Sequence, residues 1–470
     1  MDNLPTINVA YSEILVLDRD GNYMYPGSNI PDYDIHPWHT FDFINIDLVQ
    51  EQLGITFPYR LDENTPVEVA EVLNRLGSQK FEDFLDNTDG NFRIGTVDQF
   101  LETGENFIYP IMLYTSNLWH DHETAHIDPR VIRQAQLGKA KIVFAQFTEG
   151  FFGQRDYDYY WMSKFAQTNN LKKENIWMIS SNLGCSETLR DMAVSGTLPD
   201  NFTAYPYNYF QHNLWFMRGG RLRNPNVRHD VTYLGTEGLR SNRNKIIDKH
   251  FLCFNRVSKY HRLILFGELM TNPLLKDKSI VTCGPSTVNL TFYEIANTLS
   301  EEYGLGKERI VDFFKNYDDE KAYIFDEPDL HNNKASSLNI EAHNKTFVNI
   351  VTESAIDSKT VFFSEKIYKP IACSQPFIIA GNPHSLKKLQ ELGFQTFNKW
   401  WDESYDEEED PEKRVKKIVS VLEKIASWPI EKCRDILVEM EDVLQNNSTN
   451  LISLEPMDRV LKDLGKFEIS

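Results

Sequence analysis

Three consecutive residues carry the strongest chemical signal in this 470-residue chain: Ser364-Glu365-Lys366. They stand where a helix is expected to begin, with Ser364 at the cap and both charged residues in the first turn. A helix start presents N–H groups without intrahelical partners, so it attracts anions. A lysine there opposes the helix dipole, because cations favour the other end. A phosphate between the dipole and Lys366 would resolve that conflict; an ordinary surface lysine is the competing account. Apolar strands frame the helix start, Phe347-Val-Asn-Ile-Val-Thr-Glu-Ser354 before it and Gln375-Pro-Phe-Ile-Ile-Ala-Gly381 after it.

Other groupings suggest different chemistry. His122-Glu123-Thr-Ala-His126 matches H-E-x-x-H, a zinc hydrolase pattern. That chemistry needs both histidines on one helix face and a third ligand. Asp128-Pro129 follows almost at once and reads as the start of the next helix, which leaves the motif on a loop or frayed turn. His120, His122 and His126 are then surface histidines or acceptor contacts. Asp18 and Asp20 form a D-x-D pair beside the turn signal Asp20-Gly21, a position that argues against a metal. Residues 217–262 hold eleven Lys/Arg against three Asp/Glu. Such a strip serves an anionic ligand such as a diphosphate, or is a solvated linker. The acidic run from Asp402 to Glu412 reads as a solvated loop and helix start, with Pro411 at the first helical position. Trp400, Trp401 and Tyr405 either stack on a sugar or base or pack in the core.

The elements that must position these residues are α/β. A helix opens at Asp128-Pro129 and closes at Gly138; strands follow at 141–147 and 175–180 with a helix at 157–169 between them. Strand, helix, strand at this spacing predicts a parallel sheet. A second block has strands at 250–255, 279–283, 346–351 and 376–380, and helices at 261–269, 364–372 and 385–392. Residues 411–446 are expected to be helical, with an apolar face at Val415, Ile418, Val419 and Leu422. The expected architecture is two Rossmann-like domains with ligands at the carboxyl ends of the strands. Its divisions are a mixed N-terminal elaboration (1–105), a first Rossmann-like domain (106–245), a second (246–430) and helices packing back (431–470).

The strand, Glu-Ser, loop, Ser-Glu-Lys, helix, Pro-Phe-strand arrangement resembles the donor-binding motif of the α-1,3-fucosyltransferase family. It is closer still to the fucosyltransferase-like proteins of bacteriophages. Those share the block Gly393-Phe-x-Thr-Phe397 with Trp401-Asp-Glu-Ser-Tyr-Asp406, and a counterpart of Phe251-Leu-Cys-Phe-Asn-Arg256 with His261-Arg262. The resemblance covers about 250 to 430 and leaves out the first 130 residues. It implies a GT-B glycosyltransferase, inverting and metal-independent, with no obligatory cofactor and a nucleotide-sugar donor, GDP-linked or UDP-linked. It implies that Glu365 bonds the ribose, Lys366 holds the diphosphate, and Glu353 lies near the sugar or ribose. It also implies a diphosphate-binding arginine, for which Arg256 is the candidate and Lys259 and Arg262 are alternatives. The family's base comes from the first Rossmann domain, where Glu149 lies just past the strand 141–147. Thr352-Glu353-Ser354 in place of Glu-Asn-Ser, and Ile371-Ala-Cys-Ser-Gln before the last strand, bear on sugar and base identity more than on fold.

Composition narrows the alternatives. With 41% hydrophobic and 25% charged residues the chain is expected to fold and bury a sizeable core. A net charge of −20 argues against general duplex-DNA binding, which depends on neutralising phosphates. Five scattered cysteines without a C-x-x-C pair argue against a zinc site or disulfide framework. A cytoplasmic protein with no signal peptide and no membrane span is expected. The acceptor is a hydroxyl on a glycan, a protein or a modified DNA base. The rival from another class is a non-catalytic glycan-binding or virion-associated protein that kept the fold.

Overall fold

Thr346–Thr352 and Ile176–Ser180 are buried at every position, as happens in strands with helices on both faces. The computed structural model describes residues 7–11, 16–17, 23–24, 92–112, 127–146, 156–208, 211, 245–284, 290–318, 339–358 and 360–451. It shows an α/β protein with two parallel sheets, in two compact units that divide between Tyr207 and Asn208.

The first unit carries β1 (Ile7–Tyr11), β4 (Phe92–Thr96), β5 (Phe107–Met112), β6 (Ala140–Gln146), β7 (Ile176–Ser180) and β8 (Thr203–Pro206). They form one sheet in the order β4-β1-β5-β6-β7-β8, every neighbouring pair parallel. A short antiparallel pair is formed by β2 (Val16–Leu17) and β3 (Tyr23–Met24), which stand before and after Asp20-Gly21 in the chain. The helices are α1 (Val97–Thr103), α2 (Pro129–Gln136), α3 (Asp156–Thr168) and α4 (Cys185–Val194). Asp128 caps α2 by accepting from the Arg130 N–H at 2.8 Å, and Gly138 closes the helix at φ 76°. Phe107, Ile142, Phe144, Tyr159, Met162, Met178 and Phe202 are core residues here.

The second unit carries β9 (Lys249–Asn255), β10 (Ser279–Cys283), β11 (Thr346–Thr352) and β12 (Phe377–Ala380), parallel in the order β10-β9-β11-β12. Its helices are α5 (Tyr260–Thr271), α6 (Phe292–Asn297), α7 (Leu305–Phe314), α8 (Ile340–Lys345), α9 (Glu365–Ala372), α10 (Ser385–Glu391), α11 (Pro411–Ala426), α12 (Ile430–Glu439) and α13 (Glu441–Leu451). Helix α5 is buried from His261 through Leu269, as a helix surrounded by other elements must be. Phe266 meets Phe313, Phe314 and Tyr317 around it; burying such a ring contributes about 2–3 kcal/mol.

Two expectations change. β1 and β4, which fall within 1–105, belong to the same sheet as β5 to β8, so that sheet runs across the division expected at 105. The helical stretch expected over 411–446 is three helices, divided first at Pro429, which lacks the N–H that would continue α11 and instead precedes α12, and again at Met440. Helices α12 and α13 do pack on the second unit, where Asn447 bonds Gln395 and the Ser448 hydroxyl meets Ser374.

Both sheets share a rule of order. Counted along the chain, the four strands of the second sheet lie 2-1-3-4, and the first sheet begins the same way. The chain therefore leaves β9 on one side for β10 and returns on the other for β11. A crevice opens at the carboxyl ends of the two strands where the winding reverses. Gly284, just past β10, lets the backbone close on that crevice's rim. A Cβ there would sit 1.7 Å from the Arg256 carbonyl oxygen. Gly284→Ala is expected to destabilise the protein by about 2 kcal/mol and lower the melting temperature by roughly 6 °C. An unchanged melting curve would show that the rim tolerates the methyl.

Candidate functional site

The site is built on the reversal between β9 and β11. The Thr352 hydroxyl donates to the Asn255 side-chain oxygen across it. The Asn255 N–H donates to Thr282 Oγ1 at 3.0 Å. On the other flank, the Glu353 N–H donates to the Ala380 carbonyl at 3.0 Å and carries the β11–β12 pairing one residue further. The four strand ends are thereby fixed before any ligand-facing side chain is placed.

The start of α9 docks onto this frame. Ser364 caps it, its hydroxyl oxygen accepting from the Lys366 N–H at 3.3 Å while its hydroxyl proton goes to Glu353 Oε2 at 2.6 Å. The Ser364 N–H also points at the Glu353 carboxylate, at 3.3 and 3.4 Å. Glu353 is only 2% exposed. Burial pushes its carboxyl up, against the nearby Lys366 charge and the Ser364 bonds. In this structure Glu353 has an inward role: it holds the cap that holds the helix.

Glu365 and Lys366 remain partly open, their side chains 17% and 28% exposed, and pair at 3.0 Å. The Lys366 ammonium also reaches the Ser364 hydroxyl at 3.2 Å. Burial pushes the Glu365 carboxyl up, but the charges of Lys366 and Lys369 outweigh it and hold the group below its ordinary value. Lys366 is thus a cation held in place at a helix start, beside the end of β11.

The three other basic candidates separate. Arg256 is exposed immediately beyond β9. The Lys259 ammonium donates to the Ser354 carbonyl at 2.7 Å and so braces the loop after β11. Arg262 is buried, 3% exposed, and its guanidinium donates to the carbonyls of Val257, Thr352 and Glu353 at 3.0–3.1 Å. Its neighbour His261 donates from Nε2 to the same Glu353 carbonyl at 2.9 Å. Burial, with Arg262 alongside, pushes that imidazole down to about 3, so it is neutral. Arg262 therefore clamps strand ends from inside instead of facing a ligand. Arg414, also buried, does likewise for the carbonyls of Ile356, Gly381, Glu408 and Glu409. Sequence reasoning passed over Arg414, and Lys369 as well, although Lys369 stands three and four residues past Lys366 and Glu365 on one helix face.

Several expected residues lie outside the described ones: Glu149, His120, His122, Glu123, His126, Asp18, Asp20 and most of the basic strip 217–262. Within the acidic run, Glu408 pairs with Lys417 and Asp410 caps α11. Trp401 and Tyr405 are core residues, and Trp400 is half-buried. The five cysteines are free and buried. Among the described residues no helix is long and apolar enough to cross a membrane, and no group of three or more His, Cys, Asp or Glu could hold a metal ion. No protein-family model matches the chain, and no curated protein matches its sequence.

Proposed function

We propose that this protein is a GT-B glycosyltransferase that moves a sugar from a nucleotide-sugar, GDP-linked or UDP-linked, to a hydroxyl acceptor with inversion. The observation that carries this reading is Lys366: a cation fixed by Glu365 and Ser364 at the start of α9, which is tied to the end of β11, one of the two strands where the sheet order reverses and where parallel sheets bind ligands. In the proposed reaction the acceptor oxygen attacks the anomeric carbon on the face opposite the diphosphate. The bond from that carbon to the diphosphate breaks, and its electron pair leaves with the diphosphate. Lys366, the N–H groups of α9 and the exposed Arg256 stabilise the departing charge. The acceptor proton goes to a carboxylate of the first unit, with Glu149, three residues past β6, as the proposed base. Glu365 bonds the ribose in this scheme.

A thermal-shift screen against GDP, UDP, ADP and CMP and their sugars tests the donor site. One nucleotide is expected to raise the melting temperature, because a ligand of the folded state alone must do so. Lys366→Ala is expected to weaken that nucleotide about tenfold to hundredfold, as loss of a charge-assisted contact of about 2 kcal/mol predicts. No response to any nucleotide would defeat the proposal and favour the non-catalytic protein; a response to zinc alone would turn attention to His122 and His126.

A further inference from the structure

Glu353 is held at both ends of its backbone. Its N–H donates to the Ala380 carbonyl at 3.0 Å, and its own carbonyl accepts from His261 Nε2 at 2.9 Å and from the Arg262 guanidinium at 3.0 Å. The Glu353 side chain therefore starts from a fixed point just beyond β11. The Ser364 hydroxyl has one proton to give, and it goes to Glu353 Oε2 at 2.6 Å. Its oxygen accepts from the Lys366 ammonium at 3.2 Å and from the Lys366 N–H at 3.3 Å. Chemistry sets the direction of this chain. An ammonium can only donate, so the hydroxyl must send its proton elsewhere, and an ionised carboxylate can only accept. Glu353 and Ser364 are both buried, where bonds of this kind are stronger than in water. The Lys366 ammonium has three N–H bonds. One goes to Ser364 Oγ and one to Glu365 Oε1 at 3.0 Å. These two set where the third points.

We propose that Glu353 is a positioning residue of the donor site: through the Ser364 hydroxyl, its carboxylate holds the Lys366 ammonium in the orientation that presents the third N–H to the donor diphosphate. This inference rests on the donor-site reading above and deepens it. Neither the Glu353 nor the Ser364 side chain touches the nucleotide in this scheme. Fixing a flexible lysine before the ligand arrives removes an ordering cost that binding would otherwise carry. The arrangement also needs a carboxylate and not its isosteric amide. In Glu353→Gln the amide oxygen can accept the Ser364 hydroxyl only if the NH2 turns toward the Ser364 N–H, which stands 3.3 Å from Oε1. In the other orientation the NH2 donates to Ser364 Oγ and the hydroxyl proton is turned toward Lys366. Either way a donor faces a donor.

Calorimetric titration of the full chain with GDP and UDP tests this as a double-mutant cycle. For whichever nucleotide binds, Ser364→Ala is expected to weaken binding about fivefold and Glu353→Gln about tenfold. Ser364→Thr keeps a hydroxyl and is expected to restore affinity to within about twofold of the wild type. With Lys366→Ala in place, Ser364→Ala and Glu353→Gln are each expected to change affinity by less than about twofold, since a residue that acts through Lys366 then has nothing to act on. A role confined to holding the helix would weaken binding by the same factor with and without Lys366. That result, or a Ser364→Ala protein that binds like the wild type, overturns the inference; the donor site stands as long as Lys366→Ala alone weakens binding. Melting curves without ligand check that the variants fold, and the Ser364 cycle decides alone if Glu353→Gln does not. If neither nucleotide binds the wild type, the donor-site reading fails, and this inference with it.

Discussion

Arg262→Met is expected to destabilise the second unit by about 4 kcal/mol, because the substitution strands buried acceptors. The guanidinium donates to three backbone carbonyls at the ends of β11 and before α5. Methionine fills much of the space but donates nothing. The Glu353 carbonyl keeps His261 Nε2 as a donor, whereas the Val257 and Thr352 carbonyls lose the one supplied by Arg262. A buried acceptor left without a partner costs about 1–3 kcal/mol. For a unit of this size the melting temperature should drop by roughly 10 °C. The clamp also holds the strand end that carries Glu353 and, through it, the Ser364 cap. Any variant that still folds should therefore bind nucleotide more weakly. A melting curve that overlays the wild type would show that those carbonyls find other donors, and would remove Arg262 from the site's framework.

The second large effect is a change in pH response. Glu403 is mostly buried, and its carboxylate accepts the Phe397 N–H at 2.7 Å. Burial pushes the carboxyl from its ordinary 4.5 up to about 7, and the neighbouring charges of Asp406 and Asp402 add to this. Because the folded value is the higher one, Glu403 supports the fold fully at low pH. That support is lost as pH rises through 7, in total about 3 kcal/mol. Glu403→Gln keeps an oxygen to accept from Phe397 and cannot ionise. The two proteins should melt together near pH 4, below the ordinary carboxyl value of 4.5. Near pH 9 the glutamine variant should melt roughly 8 °C higher. Parallel melting curves across that range would mean that solvent reaches the carboxylate freely.

Local chemistry made much of the fold legible. Asp128-Pro129 and Asp410-Pro411 announce helices because a cap bond spans only two or three residues. Ser364 could be read as a cap for the same reason, and the run Thr346–Thr352 could be read as a strand from its β-branched and aromatic residues. The start of α10 shows the limit. His384 precedes it at φ 63° and makes no side-chain cap; the helix is capped instead by Asp406, whose carboxylate accepts from the N–H groups of Leu386 and Lys387 at 2.8 and 3.1 Å. Nothing near His384 in the chain announces a partner twenty residues away.

What the sequence by itself determined is part of the set of elements, β6, β7 and β9 to β12 among them, and the place of Glu365 and Lys366 in the first turn of α9, since caps, turns and apolar periods are short-range. What only the tertiary structure decided is which strands join and which way the charged residues face. Ile7 pairs with Phe92 in β1 and β4, a parallel register that no local pattern encodes. Arg262 could be read as a ligand-facing cation because arginine is usually exposed. It turned inward because α5 is enclosed and three carbonyls converge on its guanidinium. Glu353 turned inward because the start of α9 folds over it and offers the Ser364 hydroxyl and N–H. A burial environment is a property of neighbours brought together from across the chain, and spacing along the chain does not contain it.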